Sequence, residues 1–143
     1  MKKKEFNLID QAIHYLDNAK YYYSKIDKDT MQEDYTIRDC CLALQTSVEM
    51  FIKGLVEQLC GVNYEHKHTF EGNINKIKSN KENIKDFDTL EKILDTIDDK
   101  ADMITKWHTH AVYVSGFRAT LKQINDIMWI CEELQKYWDN LNK

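Results

Sequence analysis

The chain contains 143 residues, of which 43% are hydrophobic, and this length and composition are typical of one domain with a buried core. Its 20 basic and 24 acidic residues give a formal net charge of −4, which argues against a protein that coats nucleic acid, because such proteins are normally basic. The sequence shows neither a signal-peptide pattern nor an apolar run of membrane-spanning length, so we expect a single cytoplasmic domain over residues 1–143.

The first predicted element is a helix from about Glu5 to Ile26. Its apolar residues recur at the period of one buried helix face: Ile9, Ala12, Ile13, Leu16, Ala19, Tyr23 and Ile26. The run of tyrosines at residues 21–23 offers a stacking surface for a base, although packing at a helix edge is the favoured interpretation. Residues 27–29 form a short polar turn, so the first two helices should pack antiparallel.

The second predicted helix, Thr30 to Gly61, is the long central element of the fold. Thr30 and Glu33 form a capping-box pattern at its start, and Gly61 suits the left-handed residue that follows a helix end. Glu49 and Lys53 are four residues apart and can pair on one face. The predicted buried face is Ile37, Cys41, Leu44, Val48, Phe51, Leu55 and Leu59.

Three further helices complete the predicted fold. A short helix follows Gly72, a fourth starts near Asp86 or Asp88 with an apolar stripe that runs to Ile104, and the last runs from about Phe117 to Asn140. No strand pattern and no internal repeat is present. The sequence therefore predicts an all-α, up-and-down four-helix bundle with an additional short helix.

Two segments lack helical periodicity, and each contains a His-x-His pair. Residues 62–71 carry His66 and His68, and residues 107–116 carry His108 and His110. If the segments meet in space, these imidazoles could ligate zinc. Loop histidines are more often capping or hydrogen-bonded groups, so we predict no metal site and no cofactor.

The cysteines are predicted to be reduced thiols of the core. They show no CxxC spacing, and most of them fall within the helical periodicity, as small buried hydrophobic residues do. Disulfides are rare in cytosolic proteins. The four are Cys40, Cys41, Cys60 and Cys131.

Arg38 and Arg118 are the only arginines among 20 basic residues. Because a guanidinium group suits planar, bidentate contacts, an arginine in a lysine-rich chain indicates a contact to carboxylate or phosphate. Arg118 lies beside the predicted start of the last helix, where backbone N–H groups also favour anions. The alternative for Arg118 is a structural salt bridge, for instance to Glu49, and a structural role is favoured for Arg38. No motif for nucleophilic catalysis is present.

Three segments resemble HEPN domains. Residues 42–55, LALQTSVEMFIKGL, resemble their second helix, which has an alanine- and glutamine-rich lead, then a glutamate, an apolar pair and a lysine. Gly61 with residues 68–70, His-Thr-Phe, is similar to the glycine and the histidine-containing turn that follow in that family. Residues 113–118 resemble the segment before its last helix. The order and spacing hold over residues 5–141.

The resemblance implies a helical bundle that is usually a homodimer, in bacterial or archaeal cytoplasm. Some HEPN proteins are ribonucleases of toxin–antitoxin, CRISPR-linked or phage-defence systems, some pair with a minimal nucleotidyltransferase, and others have no known activity. The ribonucleases use an Arg and a His separated by four to six residues. After Arg118 the matching positions are Gln123, Ile124 and Asn125, so the imidazole needed for acid–base catalysis is absent there.

We therefore expect a non-catalytic, HEPN-like dimeric binding module for a nucleotide or RNA, working with a partner such as a nucleotidyltransferase or an antitoxin. Two alternatives stay open. One is a metal-independent ribonuclease, of toxin or phage-defence type, that uses Arg118 with His108 or His110. The other is a protein that only assembles with another subunit. The predicted ligand-binding residues are Glu49, Lys53, His68, Trp107, Tyr113 and Arg118.

Overall fold

The computed structural model describes residues 7–26, 35–113 and 117–143, apart from the side chains of residues 112 and 113. The predicted all-α bundle of four long helices and one short helix is confirmed, and no strand occurs in these ranges. In the same ranges, no helix combines the length and the apolar character needed to cross a lipid bilayer. The helices are α1 (Leu8–Ser24), α2 (Tyr35–Leu55), α3 (Glu71–Ser79), α4 (Phe87–Tyr113) and α5 (Leu121–Leu141).

Helix α2 lies at the centre of the bundle and packs against each of the other four helices. After Leu55 the helix continues as one π-helical turn, Val56–Cys60, and ends at Gly61. The φ angle of Gly61 is 64°, a left-handed conformation that glycine adopts at little cost. The predicted end of this helix is confirmed. The predicted capping box of Thr30 and Glu33 lies outside the described residues.

Helix α4 is longer than predicted. Residues 107–113, expected to be irregular, form about two more turns of this helix. Ile104, Trp107 and Ala111 are buried and continue the apolar stripe at steps of three and four residues. The polar run His-Thr-His at residues 108–110 obscures this period in the sequence. Residues 114–116 of the predicted loop lie outside the described residues.

Helix α5 starts later than predicted, because a capping box fixes its first turn. The Thr120 hydroxyl accepts the backbone N–H of Gln123 at 3.1 Å, and the Gln123 amide oxygen accepts the N–H of Thr120 at 2.9 Å. The helix therefore begins at Leu121, and Phe117 lies before it. Helix α1 begins in the same way after Asn7.

Helices α4 and α5 pack antiparallel. The Tyr137 hydroxyl, near the end of α5, donates to the carbonyl of Lys85 just before α4, at 2.8 Å. Nearer the other end of the pair, Lys100 Nζ lies 3.6 Å from the carboxylate of Asp126. Burial, together with the charge of Asp86, raises the pKa of Tyr137 to about 12.

Helices α1 and α2 are in close, antiparallel contact through small side chains. The Ser47 hydroxyl donates to the carbonyl of Ala12 at 2.8 Å. The Cys40 thiol donates to the carbonyl of Ala19 at 3.4 Å. Cys40 precedes Ser47 by seven residues on α2, whereas Ala19 follows Ala12 by seven residues on α1, so the two helices run in opposite directions. A short side chain reaches the main chain of a neighbouring helix only where the two helices lie close together.

The cysteines that lie in the core are Cys40, Cys41 and Cys131, while Cys60 is partly exposed. All four are free thiols. Burial raises the pKa of Cys40 and that of Cys131 to about 12. Because the thiolate is the reactive form, these buried thiols are structural rather than catalytic.

Gly54→Ala tests the close contact of α1 and α2. A methyl group at Gly54 would lie 2.6 Å from Cγ1 of Ile9 and 3.1 Å from its backbone nitrogen, so α1 would have to move. Alanine is the better helix former by about 1 kcal/mol, but overpacking costs about 1–3 kcal/mol. We expect the free energy of unfolding, measured in urea, to fall by about 1 kcal/mol.

The control for this substitution is Asp99→Ala, on the exposed face of α4. It should change the stability by less than about 0.5 kcal/mol. A stability raised by about 1 kcal/mol, the full gain expected from helix propensity, would show that the two helices are not in close contact at this position.

Candidate functional site

Three polar side chains form a buried row along α2. Gln45, Glu49 and Lys53 follow one another at intervals of four residues and therefore share one face. Gln45 Nε2 donates to Oε1 of Glu49 at 3.0 Å, and Lys53 Nζ donates to Oε2 of the same carboxylate at 3.2 Å. The side chains of Glu49 and Lys53 are only 7% and 8% exposed. Buried charges are tolerated when they are paired and hydrogen-bonded, as they are here.

His68 brings the loop after α2 onto this row. Its Nδ1 lies 2.7 Å from Oε1 of Glu49. Because a carboxylate only accepts hydrogen bonds, the Nδ1–H group of His68 is the donor. Lys53 Nζ also lies 5.4 Å from the centre of the Tyr64 ring, within cation–π distance. The buried carboxylate thus accepts hydrogen bonds from three side chains.

The imidazole of His68 stacks on that of His108 from α4. The ring centres are 3.7 Å apart and the planes are inclined by 25°. The His68 side chain is 55% exposed and His108 is half-buried, so part of the stacked pair is open to solvent. Here α2, α4 and the loop meet. We call Gln45, Glu49, Lys53, His68 and His108 the histidine cluster.

The loop that carries His68 is fixed by Asn73 of α3. The Asn73 side chain is buried, and its amide accepts the N–H of Glu65 at 2.7 Å and donates to the Glu65 carbonyl at 3.1 Å. Lys76 Nζ donates to the carbonyl of Asn63 at 2.7 Å. The position of His68 therefore depends on α3 as well as on Glu49.

A groove between α1 and α2 opens beside the histidine cluster. Its volume is about 300 Å³. His108 belongs to both the groove and the cluster. The hydroxyl of Thr46 in the groove donates to the carbonyl of Leu42 at 2.8 Å and lies 3.3 Å from Oε1 of Gln45. The groove and the cluster therefore form one continuous site. We call it the tyrosine groove, and its lining is Tyr15, Asn18, Tyr22, Asp39, Leu42, Ala43, Thr46 and His108.

Arg118 lines a second groove, on the other side of α4. Positions two residues apart in a helix are separated by about 200° around its axis, so His108 and His110 point to different sides of α4. Helix α4 thus separates the two grooves. The second one, which we call the arginine groove, has a volume of about 310 Å³ and is lined by Met103, Lys106, Trp107, His110, Phe117, Arg118 and Gln123.

The predicted ligand-binding residues divide between these places. Trp107 is buried in the wall of the arginine groove, which also contains Arg118. The side chain of Tyr113 lies outside the described part of the chain. The predicted residues that the structure brings together in the histidine cluster are Glu49, Lys53 and His68.

The two arginines lie apart from the histidine cluster. The salt bridge suggested between Arg118 and Glu49 is not formed: among the described residues, Glu49 pairs with Lys53 and His68. Arg118 Nη1 lies 3.5 Å from the carbonyl of Phe117, to which it donates. Arg38 lies over the ring of Tyr35, 5.6 Å from its centre, which agrees with a structural role.

Of the four loop histidines considered as zinc ligands, His68 and His108 come together. His66 packs against Tyr64 with ring centres 4.7 Å apart, and His110 lines the arginine groove. Within the three described ranges, no group of three or more His, Cys, Asp or Glu side chains is arranged to hold a metal ion.

The tyrosine groove was not predicted, although its pattern is present in the sequence. Tyr15, Asn18 and Tyr22 recur on α1 at steps of three and four residues, and Asp39 and Thr46 lie seven residues apart on α2. Such stripes lie beside the buried face of each helix. Which stripes face each other follows only from the pairing of α1 with α2.

Comparisons of the chain with protein-family models, with curated proteins and with solved structures found no match. The functional conclusions below therefore rest on the geometry of the site, with the HEPN resemblance as a supporting expectation.

Asn73→Ala tests how the loop is held. The substitution removes both hydrogen bonds to the backbone of the half-buried Glu65, and the loss of two such bonds costs about 1–3 kcal/mol. We expect urea denaturation to show this loss and hydrogen exchange to accelerate in residues 62–70. Asn75→Ala, exposed on the same helix, should change neither quantity. Unchanged exchange in Asn73→Ala would show that the loop is held by other contacts.

Lys53→Met tests the buried ion pair. The substitution leaves the Glu49 carboxylate buried without its cationic partner, and we expect the free energy of unfolding to fall by about 3 kcal/mol. The double variant Glu49→Gln/Lys53→Met should recover part of this loss, because it removes the unpaired charge.

Lys78→Met is the matched control for the ion pair. It breaks the exposed pair of Lys78 with Asp95, at 2.8 Å, and should cost less than about 1 kcal/mol. Equal losses for the two lysine variants would show that Lys53 is effectively solvated.

Proposed function

We propose that this protein is a non-catalytic, HEPN-like binding module that takes a nucleotide or the end of an RNA strand on the histidine cluster and the tyrosine groove. The observation that carries the proposal is the partly exposed stack of His68 on His108, held by the buried carboxylate of Glu49. The resemblance of residues 42–55 to the second HEPN helix supports it, because this segment supplies the buried part of the cluster.

The stacked pair is suited to binding because its geometry is set before a ligand arrives. Immobilising a surface side chain on binding costs about 0.5–1.5 kcal/mol, and His68 is already bonded to Glu49 at 2.7 Å. Proteins hold unpaired RNA bases by stacking them on flat side chains, histidine among them. Each such stack contributes about 1–3 kcal/mol. The two tyrosines of the adjoining groove add aromatic surface to the same site.

The geometry favours binding over RNA cleavage. A general base and a general acid have to reach two different oxygens of the reacting phosphate. The rings of His68 and His108 are stacked with centres 3.7 Å apart, which leaves no room for a phosphate between them. Arg118 and His110 line the arginine groove on the other side of α4. These positions support a binding role for the cluster.

The proposal includes a homodimer that works in the cytoplasm with a nucleotidyltransferase or an antitoxin. The HEPN resemblance supports these partners. Trp129 on α5 is 51% exposed and supplies apolar surface for such a contact. Light scattering on the purified protein measures the mass, and a strict monomer would contradict the dimer without affecting the ligand site.

Fluorescence anisotropy with a 5′-labelled RNA hexamer of mixed sequence tests the ligand site. We expect the unmodified protein to bind this probe at low salt, where phosphate contacts are strongest. His108→Ala should weaken binding about tenfold, because it removes one stacking surface worth about 1–3 kcal/mol. Competition with adenosine monophosphate, in the same assay, tests nucleotide binding.

His110→Ala is the control, since this histidine is exposed on the same helix but lies in the other groove. Its binding should equal that of the unmodified protein. Weaker binding in His110→Ala with unchanged binding in His108→Ala would transfer the site to the arginine groove. Cleavage of the probe that disappears in either histidine variant would support the ribonuclease alternative.

A further inference from the structure

Resting on the proposed function, we infer that the tyrosine groove holds the terminal ribonucleoside of the ligand and that Asp39 binds its 2′,3′-hydroxyl pair. The ligand class is a nucleotide or RNA end with an unmodified ribose, as distinct from DNA or a 3′-phosphorylated end. The inference comes from the charge of the groove, the order of its polar groups and its size.

The charge of the groove excludes a phosphate from it. Among the described residues that line the groove, Asp39 is the sole carboxylate, and neither Lys nor Arg is present. A phosphate placed there would face a like charge without a cation to offset it. Lys53, in the neighbouring cluster, is already paired with Glu49. An uncharged base and sugar therefore suit the groove better than a phosphate does.

On the α2 wall, the polar groups lie at the two ends of the groove, and Asn18 of α1 lies between them. The contacts of Cys40 with Ala19 and of Ser47 with Ala12 align α1 and α2 in opposite directions. Asp39 and Tyr22 therefore lie at one end of the groove, and Thr46 and Tyr15 lie at the other. The ends are about 10 Å apart, because Asp39 and Thr46 on α2, like Tyr15 and Tyr22 on α1, are seven residues apart. The apolar centre of the α2 wall consists of Leu42 and Ala43.

This order assigns the two parts of a nucleoside. The base lies over Leu42 and Ala43 and reaches His108, where it extends the stack that His108 makes with His68. The ribose lies at the other end, where the carboxylate of Asp39 accepts hydrogen bonds from the two hydroxyls. In Rossmann-type dinucleotide-binding proteins, an Asp or Glu side chain accepts a hydrogen bond from the ribose 2′-hydroxyl in the same way.

The size of the groove limits the ligand to one nucleoside. Small-molecule sites have volumes of roughly 300–1,000 Å³, and the tyrosine groove, at about 300 Å³, is at the lower end of this range. The rest of a strand is joined to the ribose and would therefore leave the groove at the end that contains Asp39. The 2′-hydroxyl is the group by which a protein distinguishes RNA from DNA at such a position.

The test compares three 5′-labelled hexamers of one sequence: RNA with a free 3′ end, the same RNA with a 3′-phosphate, and DNA. We expect the unmodified protein to bind the free RNA end at least tenfold more tightly than the other two. Asp39→Asn should reduce this preference at least fivefold and tighten binding of the 3′-phosphorylated RNA, because it removes the like charge. Glu57→Gln, exposed on the π-helical turn, is the control and should keep the full preference.

Competition by adenosine monophosphate against the free RNA end distinguishes the two sources of the ribonucleoside. If adenosine monophosphate displaces the labelled RNA at a concentration similar to that of unlabelled RNA, the site binds nucleotides. If much more adenosine monophosphate is needed, the site binds an RNA end. Circular dichroism confirms that each variant is folded. Binding that depends on His108 but shows no preference among the hexamers would overturn this inference alone. Absence of binding by every hexamer and by adenosine monophosphate would overturn the proposed function as well.

Discussion

The carboxylate of Glu49 is buried in the bundle, and the hydrogen bonds that it accepts connect α2 to the loop that follows it. Gln45 and Lys53 reach it from the same helix, and His68 reaches it from the loop that follows. Through the stack of His68 on His108, the connection extends to α4. A buried charge is costly unless it is paired. The folded state therefore needs all of these partners in place, and the exposed histidine surface is fixed as a result.

The close contact of α1 with α2 determines the other half of the site. Because Ser47 and Cys40 reach backbone carbonyls of α1, the larger side chains beside this row cannot enter the interface. Tyr15 and Tyr22 lie along its margin and line the groove together with residues of α2. The groove is thus a consequence of how closely the two helices pack, and the histidine stack forms one of its ends.

Helix positions and the end of α2 could be predicted from the sequence, because apolar period and a glycine cap are local signals. The end of α4 could not be predicted, because the polar residues after Trp107 obscure the apolar period. Only the packed structure shows that Ala111 continues the buried face. Glu49, Lys53 and His68 were predicted as one site, but the role of His108 depended on a distance between two helices. Arg118 was grouped with them from its guanidinium chemistry, its place beside the last helix and the HEPN resemblance, but α4 places it in another groove. Which helices pack against each other is a tertiary property. No fixed spacing between residues in a single sequence indicates it.

The buried cysteines give the molecule internal reporters of its own opening. Cys40 lies where α1 meets α2, and Cys131 contacts the carbonyl of Leu44 where α5 meets α2. A thiol reagent can reach either sulfur only when that interface separates, because burial keeps both thiols protonated and covered. The two modification rates therefore measure, in the unlabelled natural chain, whether the bundle opens as one unit or whether one helix pair separates first.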